Sequence, residues 1–387
     1  MRVGVDATSW TNRRGFGRFT RNVVTRLVAR DDETAYVMYV DSATASEAEL
    51  PAAAETRLVE VGEAPSVAAS ATSRRRMGDI LRMTLAVRGD ELDAFLFPSV
   101  YTYFPVLGVP TVVGVHDAMT SELPDLTLPS RRAQVLWRAK EQTALRLASK
   151  VFTVSETSRT AISERFGVER SRLTVVPEAP DPVFRPAEEE AVERARAAVG
   201  LSAGEPFLLY AGGISPHKDV TTLLQAYSRL DPPRPRLAVV GELETEVYAS
   251  DAVAVRRLIA ELGIDDSVLL PGFVPDETLA ALYGGALAVA LPSLAEGFGL
   301  PPVEAAACGA PTLLSDIPAH RETLGSAAVF FPPRDAARLA EELRRVIDDP
   351  EHRCDVGRRC RAAVEHLSWD AAADRLQAVI RDAAARA

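Results

Sequence analysis

The stretch Leu291-Pro292-Ser293-Leu294-Ala295-Glu296-Gly297-Phe298-Gly299-Leu300-Pro301-Pro302-Val303-Glu304-Ala305-Ala306-Ala307-Cys308-Gly309 decides how the rest of the chain is read. The run Leu287 to Leu291 is short, bounded and uncharged, which fits a strand covered on both faces in a parallel sheet. Pro301 and Pro302 suit a first helical turn, where a missing N–H costs nothing, and Gly309 suits the position just past a helix end. Glu304 then falls in the opening turn of the helix and Glu296 eight residues earlier, in the loop. Both carboxylates therefore lie at the carboxyl end of one strand, where open α/β sheets bind ligands. Gly297 and Gly299 leave backbone amides uncovered beside a helix N-terminus, a setting that favours an anion such as phosphate.

An anion site flanked by two acids is an odd combination. A nucleotide sugar resolves it, with phosphate on the amides and hydroxyls donating to carboxylates, which only accept. Each acid also has an ordinary explanation: the helix dipole favours a glutamate in a first turn, and a loop glutamate is simply solvated.

The length of 387 residues suggests two domains of ordinary size. An apolar share of 47% and a charged share of 25% are those of a soluble globular protein. Met1-Arg2-Val3-Gly4-Val5-Asp6 turns acidic too early for a signal peptide, and no apolar run approaches the roughly 20 residues that span a bilayer, so the expectation is a cytosolic chain. Cys308, Cys354 and Cys360 are too few and too irregularly spaced for a disulfide framework or zinc site and read as reduced packing residues.

Charge divides unevenly. Residues 1–185 hold 24 basic and 23 acidic residues, whereas residues 186–387 hold 20 and 31, for a net charge of −10. Basic residues of the first half cluster as Arg74-Arg75-Arg76 with Arg82 and Arg88, and as Arg131-Arg132 with Arg138, Lys140 and Arg146. Such clusters suit either a solvated helix face or an anionic membrane surface or acidic acceptor. Nucleic acid is not indicated, because no basic stripe is interleaved with aromatics.

Outward from the opening stretch, strands are expected at Arg2 to Asp6, Ala35 to Val40, Arg57 to Val61, Ala94 to Phe97, Thr111 to Val115, Val151 to Val154 and Leu173 to Val176. Helical segments alternate with them, including Phe16 to Arg30 and Ser130 to Ser149, and this alternation indicates βαβ units and a parallel sheet. The loop after the first strand contains Arg13-Arg14-Gly15-Phe16-Gly17-Arg18 and lacks the third glycine of a dinucleotide fingerprint. His116 ends a buried strand, where its imidazole serves either a ligand or a local cap. Four prolines between Pro177 and Pro186 form a stiff linker, which sets a domain boundary at 185/186.

The second half restarts the pattern at Phe207 to Tyr210, followed by Ala211-Gly212-Gly213 and Pro216-His217-Lys218. Lys218 stands near a helix start, which is mildly unfavourable for a cation, so it implies a compensating anion; a lysine extending into solvent is the plain alternative. Strands at Leu237 to Val240, Val268 to Leu270, Leu287 to Leu291 and Pro311 to Leu314 make a second doubly wound domain. The tail from Ser368 to Ala385 is a capped helix whose Ala373, Leu376, Val379 and Ile380 form one apolar face.

Together, Glu296-Gly297-Phe298-Gly299-Leu300-Pro301-Pro302-Val303-Glu304, Gly212-Gly213 with Pro216-His217-Lys218, Gly15-Phe16-Gly17 and His116-Asp117 resemble the retaining glycosyltransferases of family 4, over nearly the whole chain. The resemblance implies the α/β GT-B fold: two Rossmann-like domains, 1–185 and 186–369, facing across a cleft, with a C-terminal helix, 370–387, crossing back to the first. It implies that Glu304 accepts from the ribose and Glu296 from sugar hydroxyls. Gly297 and the amides of Phe298, Gly299 and Leu300 line the donor, Gly213 and Lys218 meet the diphosphate, and Phe273-Val274 flank the base. Gly15 and Gly17 close over the donor, and His116 contacts the sugar or its developing charge. His116, Glu296 and Lys218 are thus the expected catalytic residues.

The same resemblance implies retention of anomeric configuration, no cofactor beyond the nucleotide-sugar co-substrate, and no metal. No D-x-D triplet occurs in the sequence. The acceptor is a hydroxyl on a polysaccharide, a lipid-linked molecule or a secondary metabolite. Two departures stand out: Gly213 and His217 occupy places where many relatives have a diphosphate-binding arginine, leaving the clamp to Lys218, amides and an arginine from elsewhere such as Arg18. Glu178-Ala179 replaces an asparagine or leucine followed by glycine. A nucleotide-sugar epimerase of similar fold and a non-catalytic nucleotide-sugar-binding subunit are the competing readings.

Overall fold

The computed structural model describes residues 1–12, 15–61, 77–128, 130–242 and 251–385. Arg13-Arg14, the segment Gly62 to Arg76 and its Arg74-Arg75-Arg76 cluster lie outside them. Valine-, leucine- and aromatic-rich runs form the strands, because residues covered on both faces of a sheet need no alternation of polarity. In the first unit these are β1 (Arg2–Asp6), β2 (Ala35–Val40), β3 (Glu55–Leu58), β4 (Ala94–Phe97), β5 (Thr111–Gly114), β6 (Lys150–Thr153) and β7 (Leu173–Val175). They pair in parallel in the order β3-β2-β1-β4-β5-β6-β7, with Val3 opposite both Tyr36 and Ala94.

The second unit contains β8 (Phe207–Ala211), β9 (Arg236–Val240), β10 (Val268–Gly272), β11 (Ala288–Leu291), β12 (Thr312–Ser315) and β13 (Val329–Phe331). Their order, β10-β9-β8-β11-β12-β13, is again parallel throughout. In each sheet the direction of chain progression reverses once, between β1 and β4 and between β8 and β11. Those reversals are the topological switch points at which α/β sheets open a ligand crevice.

The first unit comprises Met1–Glu178 with Ser368–Ala387, and the second Ala179–Leu367. The tail helix Trp369–Ala384 begins with Ser368 Oγ accepting from the amides of Asp370 and Ala371. Its face of Trp369, Ala373, Leu376 and Ile380 is buried, and Trp369 meets Phe19 of the helix Gly15–Arg30 edge-on at 5.9 Å. Arg30 pairs with Asp370 and Asp374 along the same seam, and Gln377 Nε2 donates to Asp31 at 2.6 Å. Burial of a large apolar side chain contributes about 1.5–3 kcal/mol, so this face alone accounts for the helix docking on the first unit rather than standing free.

Three differences from the sequence reading have physical causes. β3 runs over Glu55–Leu58 instead of starting at Arg57, because an edge strand with exposed, charged positions carries little apolar signal. β13 is a three-residue edge strand too short to register as a pattern. Gly15 and Gly17 belong to the first turn of the helix Gly15–Arg30 rather than to the loop before it.

Candidate active site

The second unit assembles its site at the ends of β8 and β11. After β11 the chain loops through Ser293 and Glu296 to Gly299, whose φ of 90° puts it in the left-handed region that favours glycine. The helix Leu300–Ala307 starts there. Because Pro301 and Pro302 carry no N–H, and the Val303 amide bonds to Gly299 O at 3.3 Å, the amides this helix end presents to a ligand are those of Gly299 and Leu300. Phe298 and Leu300 are buried beneath the turn, Gly297 is half-buried, and Glu304 is 4% exposed one turn into the helix.

After β8 a short 3₁₀ turn, Pro216–Lys218, ends at Asp219, a non-glycine residue with φ 49°. Such a conformation costs on the order of 1 kcal/mol. Here it is held by Asp219 itself, whose carboxylate accepts from Thr221 Oγ1 at 2.8 Å and Thr222 Oγ1 at 2.7 Å. Leu294 N donates to His217 O at 2.8 Å and ties this turn to the Glu296 loop. His217 is buried against Ser215 Oγ.

The two loops meet in one bond. Lys218 Nζ donates to Glu296 Oε1 at 2.5 Å, and Ser293 Oγ donates to the same oxygen at 2.7 Å. Both side chains are largely buried, at 16% and 11% exposure. Burial pushes the Glu296 carboxyl up, but Lys218, His320 and the Ser293 hydroxyl outweigh it and hold the group down to about 2. The anion that compensates Lys218 is therefore Glu296 of the same unit. Since both donors take Oε1, Oε2 remains an acceptor.

Gly213 follows β8: Tyr210 donates its hydroxyl to Gly213 O at 2.7 Å, and a Cβ at 213 would meet nothing within 4 Å. Phe273, 49% exposed, and buried Val274 follow β10, two strands from β8 at the same sheet edge. Glu304 and burial together push the Cys308 thiol up to about 12, burial being the larger cause, which keeps that cysteine inert.

One residue escaped the sequence reading. His320, in the helix Pro318–Leu324 after β12, is fully buried; its Nδ1 lies 2.9 Å from Ser315 O, and its Nε2 has no hydrogen-bond partner. Its ring edge packs where a Cβ on Gly299 would come within 3.5 Å. Burial pulls its pKa down against the raising influence of Glu296, so Nδ1 donates to the Ser315 carbonyl and Nε2 is a bare acceptor. The available signal was its position just beyond the carboxyl end of a strand adjacent to β11.

In the first unit, Gly17 owes its identity to the protein's own packing. A Cβ there would lie 2.0 Å from Asn12 O. Arg21 Nη1 fastens the same loop by donating to Trp10 O at 2.5 Å and Asn12 O at 2.7 Å. Gly15 is exposed at the start of the helix, and Phe16 stacks on Tyr101 at 5.0 Å.

His116, just past β5, has Nε2 2.9 Å from Pro98 O and Nδ1 3.6 Å from Glu178 Oε1, with Phe19 edge-on at 4.8 Å. Burial alone lowers the imidazole pKa; Glu178, the Pro98 carbonyl and Asp117 outweigh it and raise it. The ring is thus held toward its charged form with both nitrogens facing protein acceptors. Glu178, the departure noted in the sequence, supplies the partner.

Two doubly wound parallel sheets, with paired acids and a lysine at a switch point, define an α/β transferase of the GT-B class. Residues 13–183 match Glycosyltransferase Family 4, and residues 191–363 match Glycosyl transferases group 1. The chain is 33% identical over 292 residues to an MMP alpha-(1->4)-mannosyltransferase of Mycolicibacterium hassiacum, covering 72% of this chain and 67% of that protein. The structure resembles sucrose-phosphate synthase of Thermosynechococcus elongatus with a TM-score of 0.79 at 20% identity, covering 100% of both chains. It also resembles Anabaena HepE, solved in complex with UDP-glucose, with a TM-score of 0.77 at 17% identity, covering 98% of this chain and 99% of that one. The chain belongs to glycosyltransferase family 4 and is a glycosyltransferase. It spans about two thirds of the length of the mannosyltransferase it matches.

Proposed function

We propose that the protein moves a sugar from a nucleotide diphosphate sugar to an acceptor hydroxyl, with retention of configuration and without a metal ion. The observation that carries this reading is the Lys218–Glu296 pair at the β8/β11 switch point, with Glu304 eight residues on and the Gly299 and Leu300 amides between them. The ammonium has three donors, so it keeps Glu296 on one and meets a diphosphate with another. Glu296 Oε2 accepts from a sugar hydroxyl, Glu304 from the ribose, and the Phe298, Gly299 and Leu300 amides run along phosphate and sugar. Gly213 leaves room for the phosphate, and Phe273 with Val274 flanks the base.

In the transfer, the bond from the anomeric carbon to the diphosphate oxygen breaks, and a bond to the acceptor oxygen forms on the same face. The departing phosphate takes the acceptor's proton. Lys218 and the amides stabilise the charge that develops on the diphosphate, and positioning supplies much of the remainder. His116, with Gly15 and Gly17, belongs to the same reading on the first unit, where Glu178 and the Pro98 carbonyl favour the charged form of its ring. The mannosyltransferase of Mycolicibacterium hassiacum and the UDP-glucose held by HepE support this assignment. No observation favours an epimerase or a non-catalytic subunit.

Thermal unfolding with UDP, GDP, ADP and dTDP tests the donor site. Ligand at about 100 times its dissociation constant adds about 2.7 kcal/mol, so at least one of the four raises the melting temperature. If none does, the donor-site assignment fails.

A further inference from the structure

The clustered basic residues of the helices Met77–Gly89 and Arg131–Leu147 take no part in the site described above. The crossovers from β3 to β4, β5 to β6 and β6 to β7 all move one way across the sheet, and the crossover from β1 to β2 moves the other way. Because parallel crossovers are right-handed, the helices Met77–Gly89, Arg131–Leu147 and Glu156–Phe166 share one face. The helix Gly15–Arg30, with Trp369–Ala384 packed on it, takes the opposite face.

On the first of these faces, Met77–Gly89 buries Met83 and Val87 and turns Leu81 and Leu85 outward at 57% and 56% exposure. Arg131–Leu147 buries Trp137, Ala144 and Leu145 and exposes Val135, Leu136 and Leu147 by 68%, 51% and 53%. Between these aliphatics stand the exposed Arg88, Arg131, Arg132, Arg138 and Arg146, none of which makes an ion pair or hydrogen bond among the described residues. The acids of the two helices, Asp79 and Glu141, are buried. Of the neighbouring exposed acids, Asp125 and Glu156 are engaged with Gln134 and with Arg159 and Arg170, while Glu122 and Glu164 line one hollow with Arg165. In a chain of net charge −10, the outer faces of both helices thus carry only positive charge, interleaved with large aliphatics.

We propose that this face docks on a lipid bilayer that carries anionic headgroups. The arginines meet lipid phosphates while Leu81, Leu85, Val135, Leu136 and Leu147 enter the acyl boundary. The aliphatics choose the partner: a nucleic acid or acidic polysaccharide satisfies arginine but offers nothing apolar for five exposed side chains. The docking does not depend on the proposed reaction.

The test is co-sedimentation of the full chain with vesicles of phosphatidylcholine alone or mixed with phosphatidylglycerol. The protein sediments with the mixed vesicles and not with phosphatidylcholine alone. Arg131→Gln and Arg138→Gln each weaken partitioning about fivefold, and the double variant Leu81→Ser/Leu85→Ser weakens it about tenfold at unchanged melting temperature. If the double variant melts lower, Val135→Gln, at the most exposed of these positions, replaces it. Absence of binding to the mixed vesicles overturns the proposal, as does binding that neither set of variants reduces. Binding that only the arginine variants reduce, and that heparin strips, overturns it in favour of a polyanion-binding face.

Discussion

Lys218 Nζ lies 2.5 Å from Glu296 Oε1, joining residues 78 positions apart in sequence across the switch point of the second sheet. The bond gives the unliganded site a fixed geometry and leaves one glutamate oxygen to accept. A carboxyl held down to about 2 stabilises the fold above its unfolded-state pKa, and that contribution is lost as pH falls through the folded value.

Replacing Lys218 by methionine removes the main cause of that depression and leaves Glu296 buried without its cation. The expected loss is on the order of 3 kcal/mol at neutral pH. The gap between variant and wild type closes as pH drops from about 4.5 toward 2. Urea unfolding at a series of pH values reads this directly, and a gap that does not depend on pH would refute the pairing.

Glu296→Ala is expected to abolish turnover while the bare nucleoside diphosphate still binds, since Glu296 is assigned to the sugar and Glu304 to the ribose. Glu304→Ala should weaken nucleotide binding by about 1.5–3 kcal/mol, the scale of a hydrogen bond to a charged group. Calorimetry separates the two variants. Unchanged affinity in Glu304→Ala would remove Glu304 from the nucleotide site.

His116 should titrate above its ordinary value of 6.5, because its raised pKa comes chiefly from Glu178 acting against burial. A raised histidine pKa stabilises the fold below 6.5 and loses that stabilisation as pH rises through the folded value. Glu178→Gln therefore lowers the His116 midpoint in nitrogen-15 NMR and flattens stability against pH in that window. An unmoved midpoint would show that the 3.6 Å contact carries no charge coupling.

Gly17→Ala tests packing against ligand access. With Asn12 O 2.0 Å from the added carbon, the loop before the helix must shift, at a cost of about 1–3 kcal/mol. A melting temperature equal to wild type would return Gly17 to the reading in which it only opens space for a ligand.

Much of this site was legible in sequence because it is written in local patterns. Uncharged runs marked β8 and β11, Pro301 and Pro302 marked the helix start, and the spacing of Glu296 and Glu304 placed both at one strand end. The tail helix could be read as well, since its apolar face and Ser368 cap are both local signals. His320 was barely legible: its place just past the end of an expected strand is a signal many residues share until Ser315 and Gly299 are brought to it.

By itself, then, the sequence determined the elements, the α/β class and the residue types gathered at the strand ends, because these follow from periodicity and caps within a few residues. Only the tertiary structure decided the partners. Lys218 meets Glu296 because β8 and β11 are hydrogen-bonded neighbours although β9 and β10 lie between them in sequence. His116 meets Glu178 because β5, β6 and β7 run in parallel, bringing the residues after β5 and β7 to one edge. Strand order is set by long-range packing, and with it the partner each group meets.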